Sequence, residues 1–276
     1  MSSYYSRVSI SLGALRAAVR AYPSALLGYS GGVDSALLAV VLRQELGRDR
    51  MLAAVGRSPS LPGAQWEAAH RIAQQFDVPT VEIDTHELDD PNYLANPTDR
   101  CFFCKTELWA RLGAFARSHG FSVVCDGTNA DDLGEHRPGL RAGLRAGVRS
   151  PLAEVGFTKA AVRTAARGLG LPNWDAPAAP CLSSRVRYGI GITPQRLRQV
   201  EEAEAFLRAL GVRGDLRVRH LGDAARVEVE SEWISWIEAR RDAITARLEA
   251  LGFARVDVDP RGYRRGGLLA DRAAGP

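Results

Sequence analysis

The 276-residue chain carries 36 Lys and Arg against 32 Asp and Glu, a formal charge of +4, with 46% hydrophobic and 25% charged residues. That length allows a full α/β core plus a smaller second unit, and the composition is that of an ordinary soluble protein. No apolar run approaches the roughly 20 residues of a membrane helix, the N-terminal stretch has no continuous apolar h-region, and no Lys/Arg block marks a nucleic-acid surface. A cytoplasmic protein with neither a membrane nor a nucleic-acid partner is expected.

A first helix is predicted from about Ser9 to Tyr22, and Ala25-Leu26-Leu27 reads as a short buried strand. The next stretch, "GYSGGVDSALLAVVLRQELG" (Gly28 to Gly47), has apolar Ala36, Leu37, Val40 and Val41 at helical spacing and a glycine stop. Between strand and helix stand Ser30, Gly31, Gly32, Val33, Asp34 and Ser35. The two glycines let the backbone turn tightly and aim successive N–H groups into one space, and the helix adds the positive end of its dipole. That combination binds phosphate. An ordinary glycine-rich turn is the weaker reading of six such residues in this position. A Walker loop needs Lys followed by Ser or Thr, and this loop has neither that Lys nor the length. Asp34 instead sets a carboxylate beside the phosphates, which suits a bridging magnesium ion.

Further on, strands are predicted at Met51–Gly56, Val78–Asp84 and Phe121–Asp126, and helices at Ala64–Phe76, Cys101–Gly120 and Thr158–Gly170. This alternation predicts a parallel sheet covered on both faces, with binding residues at the carboxyl ends of its strands. Three loops have that address: Ser30–Ser35, "GRSPSLP" with Ser58, and "DGTNADD" with Gly127, Thr128 and Asn129. The last suits ribose, adenine or metal; a capped turn is the alternative. "PNWDAPAAP", with three prolines in nine residues, reads as a linker. The expected division is therefore residues 1–175 and 176–276.

The second part is predicted as helix Thr193–Leu210, strands Leu216–His220 and Arg226–Glu230, helix Glu232–Leu251 and strand Arg255–Asp259, with a loose tail. That order is a small α+β unit, expected to pack against the first. Arg217 and Arg219 alternate on one strand, so both face one side, which suits a phosphate group; an exposed basic face is the alternative. Arg185 is placed to meet the same anion.

Only two of the 36 basic residues are lysines, Lys105 and Lys159, and both fall within motif segments. Each is either a place that needs a compact ammonium or a leftover surface residue. The four cysteines, in a chain with no export signal, are expected reduced, as ligands or nucleophiles. Cys101 and Cys104 form Cys-x-x-Cys, which by itself admits zinc, iron–sulfur or redox roles. A complete zinc signature is missing, and with Cys181 three thiolates suit a 4Fe–4S cluster with one open iron. Cys125, ending a buried strand, reads as packing.

The Ser30–Ser35 loop resembles the PP-loop of ATP pyrophosphatases, which include NAD synthetases, GMP synthetases and tRNA-modifying enzymes. With "DGTNADDLGEHRPG", "SPLAEVGFTKAAVR", "APCLSSRVRYG" and "RVRHLGDAARVEVE", the chain resembles, over roughly residues 9–260, the LarE-type ATP-dependent sulfur transferases. The resemblance implies an α/β PP-loop domain, of the adenine nucleotide alpha hydrolase-like kind, with a smaller C-terminal α+β domain for substrate or oligomerisation. It implies ATP and Mg2+ at the Ser30–Ser35 loop, with Asp34 holding the metal and Ser58, Gly127, Thr128, Asn129 and Lys159 completing the nucleotide site. The implied substrate is a pyridinium mononucleotide dicarboxylate whose carboxylates are adenylated and then thiolated with participation of Cys181, while Arg185, Arg217 and Arg219 take the anion. Members with a lone cysteine sacrifice its sulfur; members with Cys-x-x-Cys hold a 4Fe–4S cluster, here on Cys101, Cys104 and Cys181. A homo-oligomer is expected, and the sulfur donor is open between sulfide and another source. The rival readings are a tRNA-thiolating enzyme, an NAD synthetase and a zinc-stapled nucleotide-binding protein without catalysis.

Overall fold

The computed structural model describes residues 12–134, 138–177, 180–264 and 266–268. The tail beyond 268, parts of the proline-rich stretch and of the "DLGEHRPG" segment, and the first turn predicted at Ser9 lie outside the described residues. The chain forms two compact units. The first comprises the chain up to Ser58, Gly63–Glu87, and Asp99 to the proline-rich stretch; the second comprises Pro59–Pro62, Leu88–Thr98 and everything from Pro180. Among the described residues no helix is long and apolar enough to cross a membrane.

In chain order the elements are helix α1 (residues 12–20), β1 (Ala25–Gly28), α2 (Val33–Leu46), β2 (Met51–Arg57), α3 (Gly63–Gln75) and β3 (Thr80–Asp84). Then come α4 (Pro91–Leu94), α5 (Arg100–Ser118), β4 (Val123–Cys125), α6 (Pro138–Arg145), α7 (Pro151–Glu154) and α8 (Lys159–Gly168). The four strands make one sheet in the order β3-β2-β1-β4, every pair parallel, as the strand–helix alternation requires. The chain leaves β1 toward β2 on one side and reaches β4 on the other. The loops after β1 and β4 therefore flank the switch point where open α/β sheets bind ligands. Helix α2 is buried almost all round, from Val33 and Ala36 through Leu42, which is why its apolar residues outnumber a single stripe.

The strand predicted at Phe121–Asp126 shortens to Val123–Cys125 because the Phe121 N–H turns back to the Ala116 carbonyl, 2.9 Å away, closing the end of α5. Helices α6 and α7 have no counterpart among the predicted elements; both are short and begin at proline, whose fixed φ suits the first helical position.

The second unit adds α9 (Pro194–Ala209), β5 (Leu216–His220), β6 (Ala224–Val229), α10 (Ser231–Glu238), α11 (Arg241–Ala250) and β7 (Arg255–Val258). Its sheet runs β5-β6-β7, antiparallel then parallel, and pairs Arg217 with Glu228 and Arg219 with Arg226. Leu207, Val218, Val227, Ile237, Ile244 and Leu248 lie in its core. The single helix predicted over Glu232–Leu251 is two, a correction with a clear cause. Trp233 and Ile237, then Ile244 and Leu248, follow helical spacing, but the intervening positions are Arg240 and Arg241. Neither enters the core: Arg240 lies over the Trp236 ring at 3.9 Å and Arg241 pairs with Glu238 at 2.7 Å. The chain breaks there, and both apolar segments reach the sheet.

Candidate functional site

In the first unit the Ser30–Ser35 loop connects β1 to α2. Gly31 sits at φ +73°, and a Cβ there would lie 2.6 Å from Cβ of Ala69, so both the conformation and the packing require glycine. Gly32 caps α2 with no side-chain acceptor, which leaves the first-turn N–H groups to an external one. The loop is held from behind. Ser35 Oγ donates to the Gly32 carbonyl (3.1 Å) and accepts from the Ser30 N–H (3.3 Å), Gln65 donates to the Ser30 carbonyl (3.0 Å) and Asn173 to the Gly31 carbonyl (2.9 Å). The result is an anion cradle built from backbone.

The loop after β4 closes on the same place. A Cβ on Gly127 would come within 2.7 Å of the Ser35 nitrogen, so this glycine allows the two loops to touch. Asn129 Nδ2 donates to one Asp34 oxygen at 3.2 Å and Lys159 Nζ to the other. Lys159 opens α8, and its own N–H donates to Asp131 at 2.8 Å. Asp34, Asn129 and Lys159, from three separate motifs, thus meet in one cluster. Thr128 is turned away from it: its N–H and hydroxyl both donate to Asp126, at 3.1 and 2.8 Å. Ser58 directly follows β2, half-buried. Asp126, which also accepts from Ser150 at 2.8 Å, organises this loop and was not singled out from the sequence, whereas Asp131 belongs to the acidic pair read there with Thr128 and Asn129 as candidate ligands of ribose, adenine or metal. The signal of Asp126 was there: an Asp followed two residues later by Thr is a turn that folds on its own side chain.

In the second unit Cys181 precedes a short 3₁₀ turn, Leu182–Arg185, and its thiol is partly exposed. Arg185 is buried and pairs in a fork with Glu204 of α9, both contacts at 3.0 Å, and its Nη1 also donates to the Cys181 carbonyl at 3.1 Å. Arg217 and Arg219 are both buried, so the exposed-face reading of that strand does not hold. Arg217 lies over the Tyr263 ring at 5.1 Å, with Nη1 donating to the Leu216 carbonyl. Burial, and then the positive charge of Arg185 nearby, hold its guanidinium below the usual arginine range. Arg219 donates to Glu228 at 2.8 Å and to the Ser184 carbonyl at 3.1 Å. Glu204 was missed in the sequence, although its position was informative. It falls on the buried stripe of α9 with Leu197, Val200 and Leu207, where an acid needs a cation.

A family model described as NAD synthase matches residues 11–111, which contain the Ser30–Ser35 loop. An uncharacterized protein of Synechocystis is 42% identical over 246 residues, 88% of this chain and 91% of that protein. A pyridinium-3,5-bisthiocarboxylic acid mononucleotide synthase of Lactiplantibacillus plantarum is 34% identical over 252 residues, 91% of either chain. The chain belongs to the LarE-type family of ATP-dependent sulfur transferases. An uncharacterized protein of Methanocaldococcus jannaschii is 29% identical over 243 residues, 87% of this chain and 90% of its own. The mixed α/β architecture with a parallel four-stranded sheet is that expected of a LarE-type enzyme.

The family's metals can be tested against these residues. Magnesium on a nucleotide takes one or two carboxylates plus phosphate oxygens and water, and the Asp34 carboxylate beside the backbone cradle is such a donor. For a 4Fe–4S cluster, Cys101 and Cys104 stand one turn apart at the start of α5, Cys101 exposed and Cys104 half-buried. They are a two-thiol half-set of the right chemistry; the third family thiol, Cys181, belongs to the other unit. Among the described residues no three His, Cys, Asp or Glu side chains gather as a metal-holding group. Cys125 is fully buried, and burial pushes its thiol far above the ordinary range, as fits a packing residue.

Proposed function

We propose that this cytoplasmic enzyme thiolates the carboxylates of pyridinium-3,5-biscarboxylic acid mononucleotide in nickel-pincer nucleotide biosynthesis. The likeness to the Lactiplantibacillus synthase over 91% of both chains carries the reading. The backbone cradle with Asp34, and no Walker lysine, supports ATP cleavage between the α and β phosphates. A substrate carboxylate oxygen attacks the α-phosphorus, the α–β bridging bond breaks, and pyrophosphate leaves an acyl adenylate behind. Gly31, Gly32, Val33, Ser30 and Ser35 hold the phosphates, Asp34 would hold Mg2+, which would neutralise phosphate charge there, and the Lys159 ammonium, now paired with Asp34, turns to phosphate. Ser58, Gly127, Thr128 and Asn129 border the nucleotide, and Arg217 and Arg219, beside Arg185, receive the substrate phosphate.

Cys181 is the sulfur-side residue. Its thiolate attacks the acyl carbon and AMP departs; loss of the Cα proton then breaks Cβ–S, leaving a thiocarboxylate and dehydroalanine. A 4Fe–4S cluster on Cys101, Cys104 and Cys181, when bound, would supply reusable sulfide instead, and the Cys-x-x-Cys pair supports that form. Incubation with ATP, Mg2+ and the dicarboxylated mononucleotide is expected to give AMP and pyrophosphate only when all are present. ADP and orthophosphate would overturn the reading. Iron content and the visible spectrum of anaerobically prepared protein, with mass spectrometry after turnover, separate the sulfur sources. About four irons per chain and repeated turnover with sulfide mark the cluster; loss of H2S from Cys181 after one turnover, without iron, marks the sacrificial route.

A further inference from the structure

We propose that Glu204 is the positioning residue for Cys181, acting through Arg185. The proposal rests on the reading above only for what Cys181 does; the positioning rests on bonds within the second unit. Glu204 Oε1 accepts from Arg185 Nε and Oε2 from Arg185 Nη2, both at 3.0 Å. This planar fork fixes the direction of the guanidinium as well as its place. Held that way, the remaining nitrogen, Nη1, donates to the carbonyls of Pro180 and Cys181 and to Ser184 Oγ. One carboxylate therefore sets the peptide on which the thiol is carried.

The same carboxylate has a second hold. Its Oε1 accepts the Val218 N–H at 3.0 Å. Val218 lies on β5, the edge strand of its sheet, between Arg217 and Arg219. An edge strand presents unpaired N–H groups, and here one of them is taken by Glu204. Glu204 thus ties the cysteine loop and the arginine strand to one atom pair. Two further bonds keep the loop from rotating about that tie: the Leu182 N–H donates to the Ser60 carbonyl at 2.8 Å, and the Tyr93 and Ser183 hydroxyls bond at 2.6 Å in the interior. At the far end, the Arg187 N–H donates to the His220 carbonyl at 3.0 Å, at the end of β5. Apolar packing could hold this loop equally firmly, but only a fork specifies orientation; a buried ion pair is better suited to specificity than to stability.

Hydrogen exchange on the full wild-type chain tests the frame without any assay of function. The amides of Leu182 and Arg187 are expected to exchange as slowly as those of β5, and exchange at loop-like rates would overturn the proposal. Glu204→Gln keeps the size and an acceptor for Val218 but removes the counter-charge and one arm of the fork. In this variant the 180–187 segment is expected to exchange at least about tenfold faster, with the rest of β6 and β7 unchanged. Thiocarboxylate formation should fall by about 10²-fold, and at least about tenfold further than pyrophosphate release in the same reaction. Arg185→Lys, which keeps the charge and loses the fork, is expected to show the same split. Equal losses of both products, or wild-type thiocarboxylate yield, would reduce Glu204 to a structural residue. If the wild-type chain released no pyrophosphate, the functional reading would fail while the exchange measurement still decided the positioning.

Discussion

Asp34 in the first unit and Glu228 in the second are both carboxylates met by two donors, yet their surroundings are opposite. Asp34 keeps 21% of its side-chain surface and its partner Lys159 keeps 37%. Glu228 keeps 2%, lying between Arg219 at 2.8 Å and Arg226 at 2.9 Å, and Asp259, equally sealed, faces Arg226, Arg261 and Arg264. A half-solvated pair can exchange partners at small cost, because water stabilises each charge while it is alone. A sealed pair cannot. The Asp34–Lys159 pair of the first unit can therefore change partners at small cost, whereas Glu228 of the second is held in one arrangement by Arg219 and Arg226.

The sharpest way to break this contrast is Glu228→Ala. It strands Arg219 without its counter-charge in the interior and leaves Arg226 the longer contact to Asp259 at 3.8 Å, and the loss of one partner of a buried pair costs about 3–5 kcal/mol. Urea unfolding should show a midpoint shift of that size with little change in slope. A shift below about 1 kcal/mol would mean that the two arginines find other acceptors or water, and the sealed character of the strand would fall with it.

The contrast also explains what the sequence disclosed. The first site is made of backbone, so glycines at fixed places betray it: Gly31 must take a left-handed φ beside Ala69, and Gly127 must admit the nitrogen of Ser35. Such requirements leave a contiguous motif. The parallel sheet was legible from local pattern too, since strand and helix alternate along β1, α2, β2, α3 and β3. The second site is made of side chains that meet across distant segments, Arg185 with Glu204 and Arg219 with Glu228. Nothing local marks those pairings, and Glu204 was visible only as an acid on an apolar stripe. The split between α10 and α11 was hidden differently, because Arg240 and Arg241 interrupt a stripe whose spacing continues on both sides.

A second, slightly smaller effect sharpens the comparison through pH. His220, at the end of β5, is buried with Nε2 against Gln199 Oε1 at 3.1 Å and Nδ1 facing the Gly222 N–H at 3.3 Å. A neutral ring that donates from Nε2 and accepts at Nδ1 satisfies both contacts. Burial first, and the positive charge of Arg196 second, lower its pKa from 6.5 to about 4. In the unfolded chain the ring takes its proton first, near 6.5. Stability from this residue is therefore complete above that pH and is lost as pH falls from about 6.5 toward 4, by roughly 3 kcal/mol at most. Unfolding curves at pH 7, 6, 5 and 4.5 should decline in the wild type and flatten over that window in His220→Gln. Equal slopes in the two proteins would assign the acid sensitivity to other groups.

The smallest effect on stability is expected where the effect on chemistry is largest. Asp34→Asn removes the charge facing Lys159 but keeps an acceptor for Asn129. For an ion pair this exposed the change is about 0–1 kcal/mol, which in a chain of this size moves the melting temperature by less than roughly 4 °C. Substrate-dependent pyrophosphate release should nevertheless fall by about 10²-fold or more, because the carboxylate that would take the metal at the cleaved phosphates is gone. Lys159→Met tests the other half of the pair. It leaves Asp34 its charge and removes only the ammonium, so added Mg2+ should recover part of the lost rate there and none of it in Asp34→Asn. A large melting shift in Asp34→Asn with little kinetic loss would reverse the assignment: the pair would then be holding α2 to α8, as Glu228 holds its arginines, and the two units would handle charge alike.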